Sequence, residues 1–245
     1  LNLKKIDLKI NENLGEFLPS LYKSIKNVKF PNFKNWQKIC SIRKTKDIIP
    51  NLFNKSNPID LYRFMYLLGN KATNKHVLIT DAGSNYYIGG QAWHFNNGGK
   101  EISSGANAAM GLSLPLSIGA AVEEKKNQIL SVTGDGSIEL NIQELKTISH
   151  YKLNIKTFVI NNGGYVSMKK WQDNFFAGNR LDTEDKTGAG TLNFKKIAAA
   201  FDLKYVRINK ENEINKKLKE IMSNNLPYLV EVVTDPNQKI YGKEF

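Results

Sequence analysis

Short apolar runs that alternate with helical patterns are the feature that most constrains how this chain of 245 residues can fold. Each run has the length of a strand that is buried on both faces of a sheet. The segments between the runs carry apolar residues at helical spacing, such as Ile138, Ile142 and Leu145. The runs occupy residues 77–80, 129–133, 157–160, 205–208 and 228–233. This alternation predicts an α/β fold: a three-layer open, mostly parallel sheet with helices on both faces.

Small polar residues follow three of these runs, at residues 81–85, 134–137 and 161–165. In open parallel sheets, ligands bind beyond the carboxyl ends of the strands, because the loops that leave the strands converge at that edge. Turn chemistry alone also explains Gly, Asn, Asp and Ser in any single loop of this kind. The convergence of three such loops favours a ligand site at this edge of the sheet.

The composition excludes several classes of protein. A single cysteine, Cys40, rules out a disulfide scaffold or a four-thiolate metal site within the chain. The most apolar stretch, residues 108–122, is too short and too interrupted for a membrane crossing, which needs about 20 apolar residues. The amino terminus has no apolar core of the kind that signal peptides carry. We therefore expect a cytoplasmic chain without membrane association.

The charge balance is strongly positive, with 35 Lys and Arg against 23 Asp and Glu and a net charge of +12. Such a balance raises a nucleic-acid-binding module as a distant alternative. However, the lysines are spread along the chain, and no recognised nucleic-acid motif accompanies them. We interpret the charge as a solvated lysine-rich surface and expect no nucleic-acid partner.

The loop Gly134-Asp135-Gly136-Ser137 lies between a predicted strand and a predicted helix. Its glycines let the backbone approach a ligand closely, and the amino terminus of the helix favours a phosphate group. The Asp135 carboxylate is a hard oxygen ligand suited to Mg²⁺ or Ca²⁺. Of these, Mg²⁺ usually takes one or two protein oxygens and completes its shell with phosphate and water. Asn162 brings an amide oxygen at the end of the next predicted strand. These loops together predict a site for Mg²⁺ and phosphate.

The same residues carry a family resemblance. Gly134-Asp135-Gly136, followed by 24 residues and then Asn161-Asn162, resembles the signature of thiamine diphosphate enzymes. The resemblance extends over about residues 55–235, and the chain is identified as similar to the C-terminal thiamine diphosphate-binding domain of acetolactate synthase-like enzymes. Three further segments resemble acetolactate synthases, namely residues 81–85, residues 103–115 and the pair Trp171-Gln172.

The resemblance implies a role for each residue that matches the family pattern. Asp135 and Asn162 would ligate Mg²⁺ through their side chains, and Gly164 would ligate it through its carbonyl oxygen. Met110 would lie beneath the cofactor and bend it, and the carbonyl of Ala108 would accept a hydrogen bond from the cofactor's amine. The other cofactor-binding residues that the resemblance implies are Gly83, Ser84, Asn85, Gly134, Gly136, Ser137 and Tyr165.

Some of these assignments have alternatives. Family members often carry Gln-His where Ser84 and Asn85 stand in this sequence. Trp171 matches a residue that shapes the substrate pocket, although the residue by itself is equally well explained by packing. Met110 considered alone is explained by core filling, and Tyr165 either lines the cofactor or packs.

The implied enzyme decarboxylates a 2-keto acid such as pyruvate and joins the resulting enamine to an acceptor carbonyl, with the cofactor carrying most of the chemistry. In this family the catalytic glutamate comes from a separate pyrimidine-binding domain, usually on a partner subunit. We therefore expect no catalytic residue in this chain, and a homo-oligomer for the full enzyme. FAD would bind only through a middle domain. The alternatives are a related thiamine diphosphate-dependent decarboxylase or lyase, a carboligase acting on an activated sugar, or a scaffold that has lost its activity.

We divide the chain into three parts. Residues 1–45 are predicted as a remnant of a preceding middle domain plus a linker, with a strand at residues 1–10 and a helix at 12–25. Residues 46–235 form the predicted domain that binds the diphosphate and Mg²⁺, and residues 236–245 form a C-terminal tail. The chain starts with Leu1 and has no room for a pyrimidine-binding domain of about 150 residues. We expect a part of a longer enzyme that is catalytically silent by itself.

Overall fold

The structure of the protein is a computed structural model that describes residues 7–46, 57–93 and 99–241. The chain divides into two compact units, Leu1–Asp47 and Ile48–Phe245. The first unit is small and helical, and the second carries the sheet.

The first unit contains helix α1 (Leu14–Ile25) and helix α2 (Lys34–Lys46). The side chain of Asn13 caps α1 by accepting a hydrogen bond from the backbone N–H of Gly15 at 2.8 Å, which satisfies one of the unpaired donors at the helix start. The helix predicted over residues 12–25 is therefore present. Of the strand predicted at residues 1–10, residues 1–6 lie outside the described residues, and residues 7–10 are not in a strand.

The second unit consists of strands that alternate with helices, as the apolar runs predict. Its strands are β1 (His76–Thr80), β2 (Lys100–Ser103), β3 (Gln128–Gly134), β4 (Ile155–Asn161), β5 (Lys204–Ile208) and β6 (Tyr228–Val233). Its helices are α3 (Leu61–Lys71), α4 (Ser84–Ala92), α5 (Ser113–Glu123), α6 (Glu144–His150), α7 (Val166–Phe175), α8 (Phe194–Ala200) and α9 (Ile214–Met222). The predicted α/β fold is confirmed.

The strands form one sheet in the order β2-β1-β3-β4-β6-β5, and every pairing between them is parallel. The chain runs from β1 to β2 on one side and then crosses to β3 on the other side of β1. Strands β1 and β3 are therefore neighbours whose outgoing connections diverge. In open α/β sheets such a switch point leaves a crevice at the carboxyl ends of the two strands.

Two apolar cores cover the two faces of the sheet, because successive side chains of a strand point in opposite directions. Leu78 of β1 and Phe158 of β4 belong to the core that also contains buried residues of α3, α4 and α9. Their strand neighbours Val77 and Val159 belong to the opposite core, with buried residues of α5, α6 and α8. All four side chains are fully buried, and each contributes about 1.5–3 kcal/mol of transfer free energy. The sheet is thus held as the middle of three layers.

Four elements of the second unit were not predicted from the sequence, namely β2, α4, α5 and α7. Strand β2 has no apolar run, because it lies at the edge of the sheet and alternates exposed and half-buried residues. Helices α4 and α7 follow the loops of β1 and β4 and carry no clear apolar periodicity. Helix α5 begins within the stretch at residues 108–122 and ends one residue beyond it, at Glu123. No helix within residues 7–46, 57–93 and 99–241 combines the length and apolar character that a membrane crossing needs.

The segment predicted as a C-terminal tail belongs to the second unit, and its described residues, 236–241, pack against helices α3 and α4. Gln238 is buried, and its side-chain oxygen accepts a hydrogen bond from the backbone N–H of Leu61 at 2.7 Å. The backbone N–H of Tyr241 donates to the hydroxyl of Tyr62 at 2.8 Å, and the amide of Gln91 donates to the Tyr241 carbonyl at 2.8 Å. These contacts join the segment to α3 and α4. Residues 242–245 lie outside the described residues.

Candidate functional site

A cleft of about 290 Å³ lies at the carboxyl ends of β1, β3 and β4, where the strand order places the switch point. It brings together every residue that the sequence analysis assigned to cofactor binding. These residues are Gly83, Ser84, Asn85, Ala108, Met110, Gly134, Asp135, Gly136, Ser137, Asn162, Gly164 and Tyr165. They come from four separate stretches of the sequence.

Asp135 is the charged centre of this cleft, and its side chain is almost completely buried. One carboxylate oxygen accepts the backbone N–H of Gly136 at 2.9 Å. The other accepts the N–H groups of Asn162 at 3.1 Å and Gly164 at 3.0 Å. Burial raises the pKa of Asp135 above its ordinary value, and these N–H donors oppose that shift only in part. A buried carboxylate of this kind gains from a nearby cation.

Asn162 lies beside Asp135 because β3 and β4 are adjacent and parallel, so their outgoing loops meet. Its side chain is buried, and within the described residues its Oδ1 atom has no hydrogen-bond partner. A buried amide oxygen without a partner costs about 1–3 kcal/mol. This orphaned oxygen, next to a buried carboxylate, fits a site for a hard divalent cation.

Two glycines of the cleft are required by close contacts. A Cβ atom on Gly164, where φ is 116°, would lie 2.3 Å from the carbonyl oxygen of Thr183. A Cβ atom on Gly136 would lie 2.4 Å from the ring of Tyr165. Burial raises the pKa of the Tyr165 hydroxyl, and the negative charges of Glu139 and Asp135 add to that shift. The phenol therefore stays neutral and packs against the backbone of the Asp135 loop.

The start of helix α4 forms another wall of the cleft. Ser84 and Asn85 are buried in its first turn, and Gly83 precedes them with φ at 77°. The Oδ1 atom of Asn85 is a second buried oxygen that has no hydrogen-bond partner in the part of the chain that the structure describes. Backbone N–H groups at a helix start attract anions, so this wall suits a phosphate group.

The segment with Ala108 and Met110 closes the cleft on a further side. Ala108 has a left-handed backbone, with φ at 44° and ψ at 40°, which is uncommon for a residue with a Cβ. The Ser104 hydroxyl accepts the N–H of Ala109 at 2.8 Å and helps hold this conformation. The Met110 side chain is 37% exposed. It therefore presents apolar surface at the cleft and does not fill the core.

Asp81, for which the sequence predicted no individual role, connects three segments that border the cleft. It is buried, and one oxygen accepts N–H groups from Ala82 at 2.8 Å and Gly111 at 3.1 Å. Its other oxygen accepts the hydroxyl of Thr133 at 2.8 Å. Asp81 thus ties the end of β1 to β3 and to the Met110 segment. Its sequence position in a polar turn gave no sign of this, because its partners lie 30 and 52 residues away.

Trp171 lies in a neighbouring and more apolar cleft of about 660 Å³. Its ring packs against Phe175 and Phe176, with centroid distances of 5.2 and 5.3 Å. The two clefts share three lining residues, namely Tyr87, Ser167 and Met168. Trp171 therefore lines a cleft that is adjacent to the one containing Asp135, and it does not line the Asp135 cleft itself.

Comparisons with known proteins agree with this geometry. Residues 81–232 match the sequence profile of the family described as thiamine pyrophosphate enzyme, C-terminal TPP binding domain. The chain belongs to this family. The matched region of this TPP-binding domain contains all of the residues that line the cofactor cleft, together with Trp171.

Relatives of the TPP-binding domain include several acetolactate synthases. The mitochondrial acetolactate synthase of Schizosaccharomyces pombe is 27% identical over 238 residues, which are 95% of this chain and 35% of the relative. Isozyme 1 large subunit of Escherichia coli is 30% identical over 185 residues, 76% of this chain and 32% of the relative. A probable large subunit from Methanococcus aeolicus is 29% identical over 97% of this chain and 38% of the relative. The chain spans about a third of these relatives' length.

The donor set in the cleft fits one magnesium ion held jointly with a diphosphate. Within the described residues, no group of three or more His, Cys, Asp or Glu side chains is placed to hold a metal. The candidate donors are one carboxylate, one amide oxygen and one backbone carbonyl. Mg²⁺ bound by few protein oxygens takes its remaining ligands from phosphate and water. The diphosphate of thiamine pyrophosphate would supply such phosphate oxygens in a TPP-binding domain.

Proposed function

We propose that this chain binds the diphosphate of thiamine diphosphate through Mg²⁺, as part of an acetolactate synthase-like enzyme. The observation that carries the proposal is the meeting of Asp135, Asn162 and Gly164 in one cleft of a TPP-binding domain. The buried Oδ1 atom of Asn162, which lacks a partner in the described residues, supports it further.

Asp135 and Asn162 would hold the ion through their side-chain oxygens, and Gly164 through its carbonyl. The three backbone N–H groups that donate to Asp135 fix the orientation of its carboxylate before any ion arrives. Such preorganisation strengthens binding because less freedom is lost when the ion enters.

Gly83, Ser84, Asn85, Gly134, Gly136 and Ser137 would surround the diphosphate, with the start of α4 supplying backbone donors. Met110 would support the cofactor from below, and the Ala108 carbonyl would accept a hydrogen bond from its amine. Tyr165 would exclude water from one side of the loop that carries Asp135, because its ring covers Gly136. These residues bind and orient the cofactor, and they transfer no proton themselves.

The resemblance to acetolactate synthases leads us to propose pyruvate as the 2-keto acid that is decarboxylated, with Trp171 shaping the adjacent substrate pocket. Thiamine diphosphate supplies, when bound, the chemistry that breaks and forms carbon–carbon bonds beside a keto group. No glutamate lines the cofactor cleft in the residues that the structure describes. From the resemblance to acetolactate synthases, we propose that a pyrimidine-binding domain, on the same or a partner subunit, supplies the catalytic glutamate.

Calorimetry tests the metal assignment directly. Thiamine diphosphate is titrated into the chain with and without Mg²⁺, and binding is expected to require the ion. Asp135→Asn is expected to weaken Mg²⁺-dependent binding at least about 100-fold, because a charged hard ligand is lost. Asp202→Asn is the matched control: Asp202 is exposed, precedes β5, and has a left-handed backbone that Asn tolerates. Unchanged affinity of Asp135→Asn would refute the assignment.

An activity assay tests the division of labour between domains. The 245-residue chain with pyruvate, Mg²⁺ and thiamine diphosphate is expected to form no acetolactate above the rate without protein. Robust turnover by this chain alone would show that the catalytic acid–base group lies within it, contrary to our proposal.

A further inference from the structure

The segment at residues 176–192 lies against the loop that carries two of the proposed metal donors. The backbone N–H of Tyr165 donates a hydrogen bond to the carbonyl of Thr183 at 2.9 Å. That carbonyl oxygen also occupies the space beside Gly164, since a Cβ atom there would lie only 2.3 Å away. Thr183 is buried. The position of Thr183 therefore limits where the backbone of residues 162–165 can lie.

The loop at residues 162–165, called the metal loop below, needs such support because two of its residues are glycines in unusual conformations. Gly163 has φ at 72° and Gly164 has φ at 116°. Glycine gives up more conformational freedom on folding than other residues do, so a loop of two glycines is poorly ordered by its own local preferences. Its single geometry has to be imposed by contacts from outside the loop.

Gln172 of helix α7 makes the side-chain contacts that tie Thr183 to that helix. Within the segment itself, the backbone N–H of Thr183 also donates to the Thr187 hydroxyl at 3.2 Å. The Oε1 atom of Gln172 accepts the hydroxyl of Thr183 at 2.9 Å and the backbone N–H of Leu181 at 3.3 Å. Its Nε2 atom donates to the carbonyl of Leu181 at 3.0 Å. The oxygen and the nitrogen of the Gln172 amide thus both form hydrogen bonds with the segment at residues 176–192, to Leu181 and Thr183.

Arg180 anchors the same segment farther from the metal loop. It forms a two-point ion pair with Asp173, at 2.8 and 2.7 Å, and contacts Glu184 at 2.9 Å. This pairing fixes the segment to α7, but it involves neither Thr183 nor the loop at residues 162–165. The contact from Gln172 reaches the hydroxyl of the residue whose carbonyl touches the metal loop.

We propose that Gln172 is a positioning residue: it holds residues 181–183 against the loop at residues 162–165 and thereby sets the geometry of the Asn162 and Gly164 donors toward Mg²⁺. Gln172 does not line the cofactor cleft, so it acts through Thr183. This inference rests on the proposed metal-binding function.

Hydrogen exchange tests the contact without metal or cofactor. In Gln172→Met the side-chain length is kept and all three hydrogen bonds are lost. The amide of Tyr165, which donates to Thr183, is expected to exchange about tenfold faster in the peptide that covers residues 162–165. Gln37→Met makes the same change on an exposed position of α2, in the other unit, and is expected to leave this exchange unchanged. Unchanged exchange in Gln172→Met overturns the proposed contact.

Calorimetry tests the consequence for the metal. With thiamine diphosphate present, Gln172→Met is expected to raise the Kd of Mg²⁺ about tenfold. Thr183→Val, which lacks the hydroxyl, is expected to give a similar rise that does not add to that of Gln172→Met, since both remove one contact. Gln172→Glu keeps the acceptor for Thr183 and is expected to stay within about threefold of the unchanged chain.

The outcomes separate the two proposals. Faster exchange with an unchanged Kd of Mg²⁺ overturns the positioning role of Gln172 while leaving the metal site intact. Failure of the unchanged chain to bind Mg²⁺ and cofactor refutes the proposed function, and the metal part of this inference with it. In that case the exchange rate of the Tyr165 amide still decides whether Gln172 orders the loop. If Gln172→Met does not fold, Gln172→Glu and Thr183→Val carry the same comparison.

Discussion

The carboxyl ends and the amino ends of the strands each have a buried ionisable side chain, and the surroundings of the two side chains differ. Asp135 lies just beyond the carboxyl end of β3, and Lys156 is the second residue of β4, near its amino end. Both are buried, and in the described residues neither contacts a side chain of opposite charge. The difference lies in what surrounds the charge.

Lys156 is satisfied by the chain itself. Its ammonium group donates to the carbonyl of Asn224 at 2.8 Å and to the carbonyl of Leu226. It also lies 5.1 Å from the centre of the Tyr228 ring, whose face attracts a cation. Burial lowers the pKa of Lys156 to about 8. The site is complete without any ligand.

The cleft around Asp135 contains buried hydrogen-bond acceptors that have no donor in the described residues. Its carboxylate receives three backbone donors, yet the Oδ1 atoms of Asn162 and Asn85 beside it have no partner among the described residues. Burial of a polar atom without a partner costs free energy that a structural site would avoid. What distinguishes the Asp135 site is that both unpartnered amide oxygens line the same cleft as its carboxylate, whereas the ammonium of Lys156 already has two carbonyl partners.

The largest expected effect is that of Gly164→Ala, which tests the proposed metal site in the cleft of Asp135. The new Cβ would meet the Thr183 carbonyl at 2.3 Å, and the backbone φ of 116° is unfavourable for alanine. We expect a loss of about 3 kcal/mol in the free energy of unfolding and a loss of Mg²⁺ binding. Urea denaturation and calorimetry measure the two effects. Gly119→Ala is the control, because Gly119 is exposed on α5 and a Cβ atom there would meet nothing within 4 Å in the described part of the chain. Wild-type Mg²⁺ affinity in Gly164→Ala would contradict the assigned donor geometry.

A second test concerns Lys156 and the dependence of stability on pH. Its pKa is about 8 in the folded chain and 10.5 in an ordinary setting. Between these values the unfolded chain binds the proton and the folded chain does not, so the free energy of unfolding rises with pH. We expect a rise of about 2 kcal/mol from this residue between pH 8 and pH 10.5, allowing for partial hydration. Denaturation of Lys156→Met across that range is expected to lack this rise. Parallel curves for the two proteins would show that Lys156 is well hydrated.

The contrast between the Asp135 site and the Lys156 site also explains which residues of the candidate site could be predicted from the sequence. Asp135 and Asn162 could be predicted to meet because each directly follows an apolar run, and adjacent parallel strands bring their loops together. The roles implied for Gly164 and Met110 depended on resemblance to a family. Most of the twelve assigned cleft residues were likewise implied by the family resemblance and not by local patterns alone.

The residues that hold the cleft in place could not be predicted in this way. Asp81 acts through Gly111 and Thr133, and Thr183 acts through Gly164, so their roles appear only when distant segments pack. Lys156 escaped because a lysine at the start of an apolar run resembles the solvated end of a strand. Its carbonyl partners follow α9, about 70 residues later.

The smallest expected effect on stability is that of Asn162→Ala, and it bears most directly on the comparison. The Oδ1 atom of Asn162 makes no hydrogen bond within the described residues, so its removal takes away no such bond. We expect the free energy of unfolding without Mg²⁺ to change by less than about 1 kcal/mol. Affinity for Mg²⁺ in the presence of thiamine diphosphate is expected to fall about tenfold or more, because one hard ligand is lost.

A matched variant at the other kind of site is Asn154→Ala. The side chain of Asn154 is engaged on both sides, accepting from Gln128 at 3.2 Å and donating to Asn225 at 3.2 Å. Its loss is expected to reduce stability by about 1 kcal/mol and to leave Mg²⁺ affinity unchanged, since it lies near the amino end of β4. If Asn162→Ala instead reduced stability as Asn154→Ala does and kept Mg²⁺ affinity, the free acceptor would be part of the fold. The distinction between a ligand site at the carboxyl ends of the strands and a structural site at their amino ends would then be wrong.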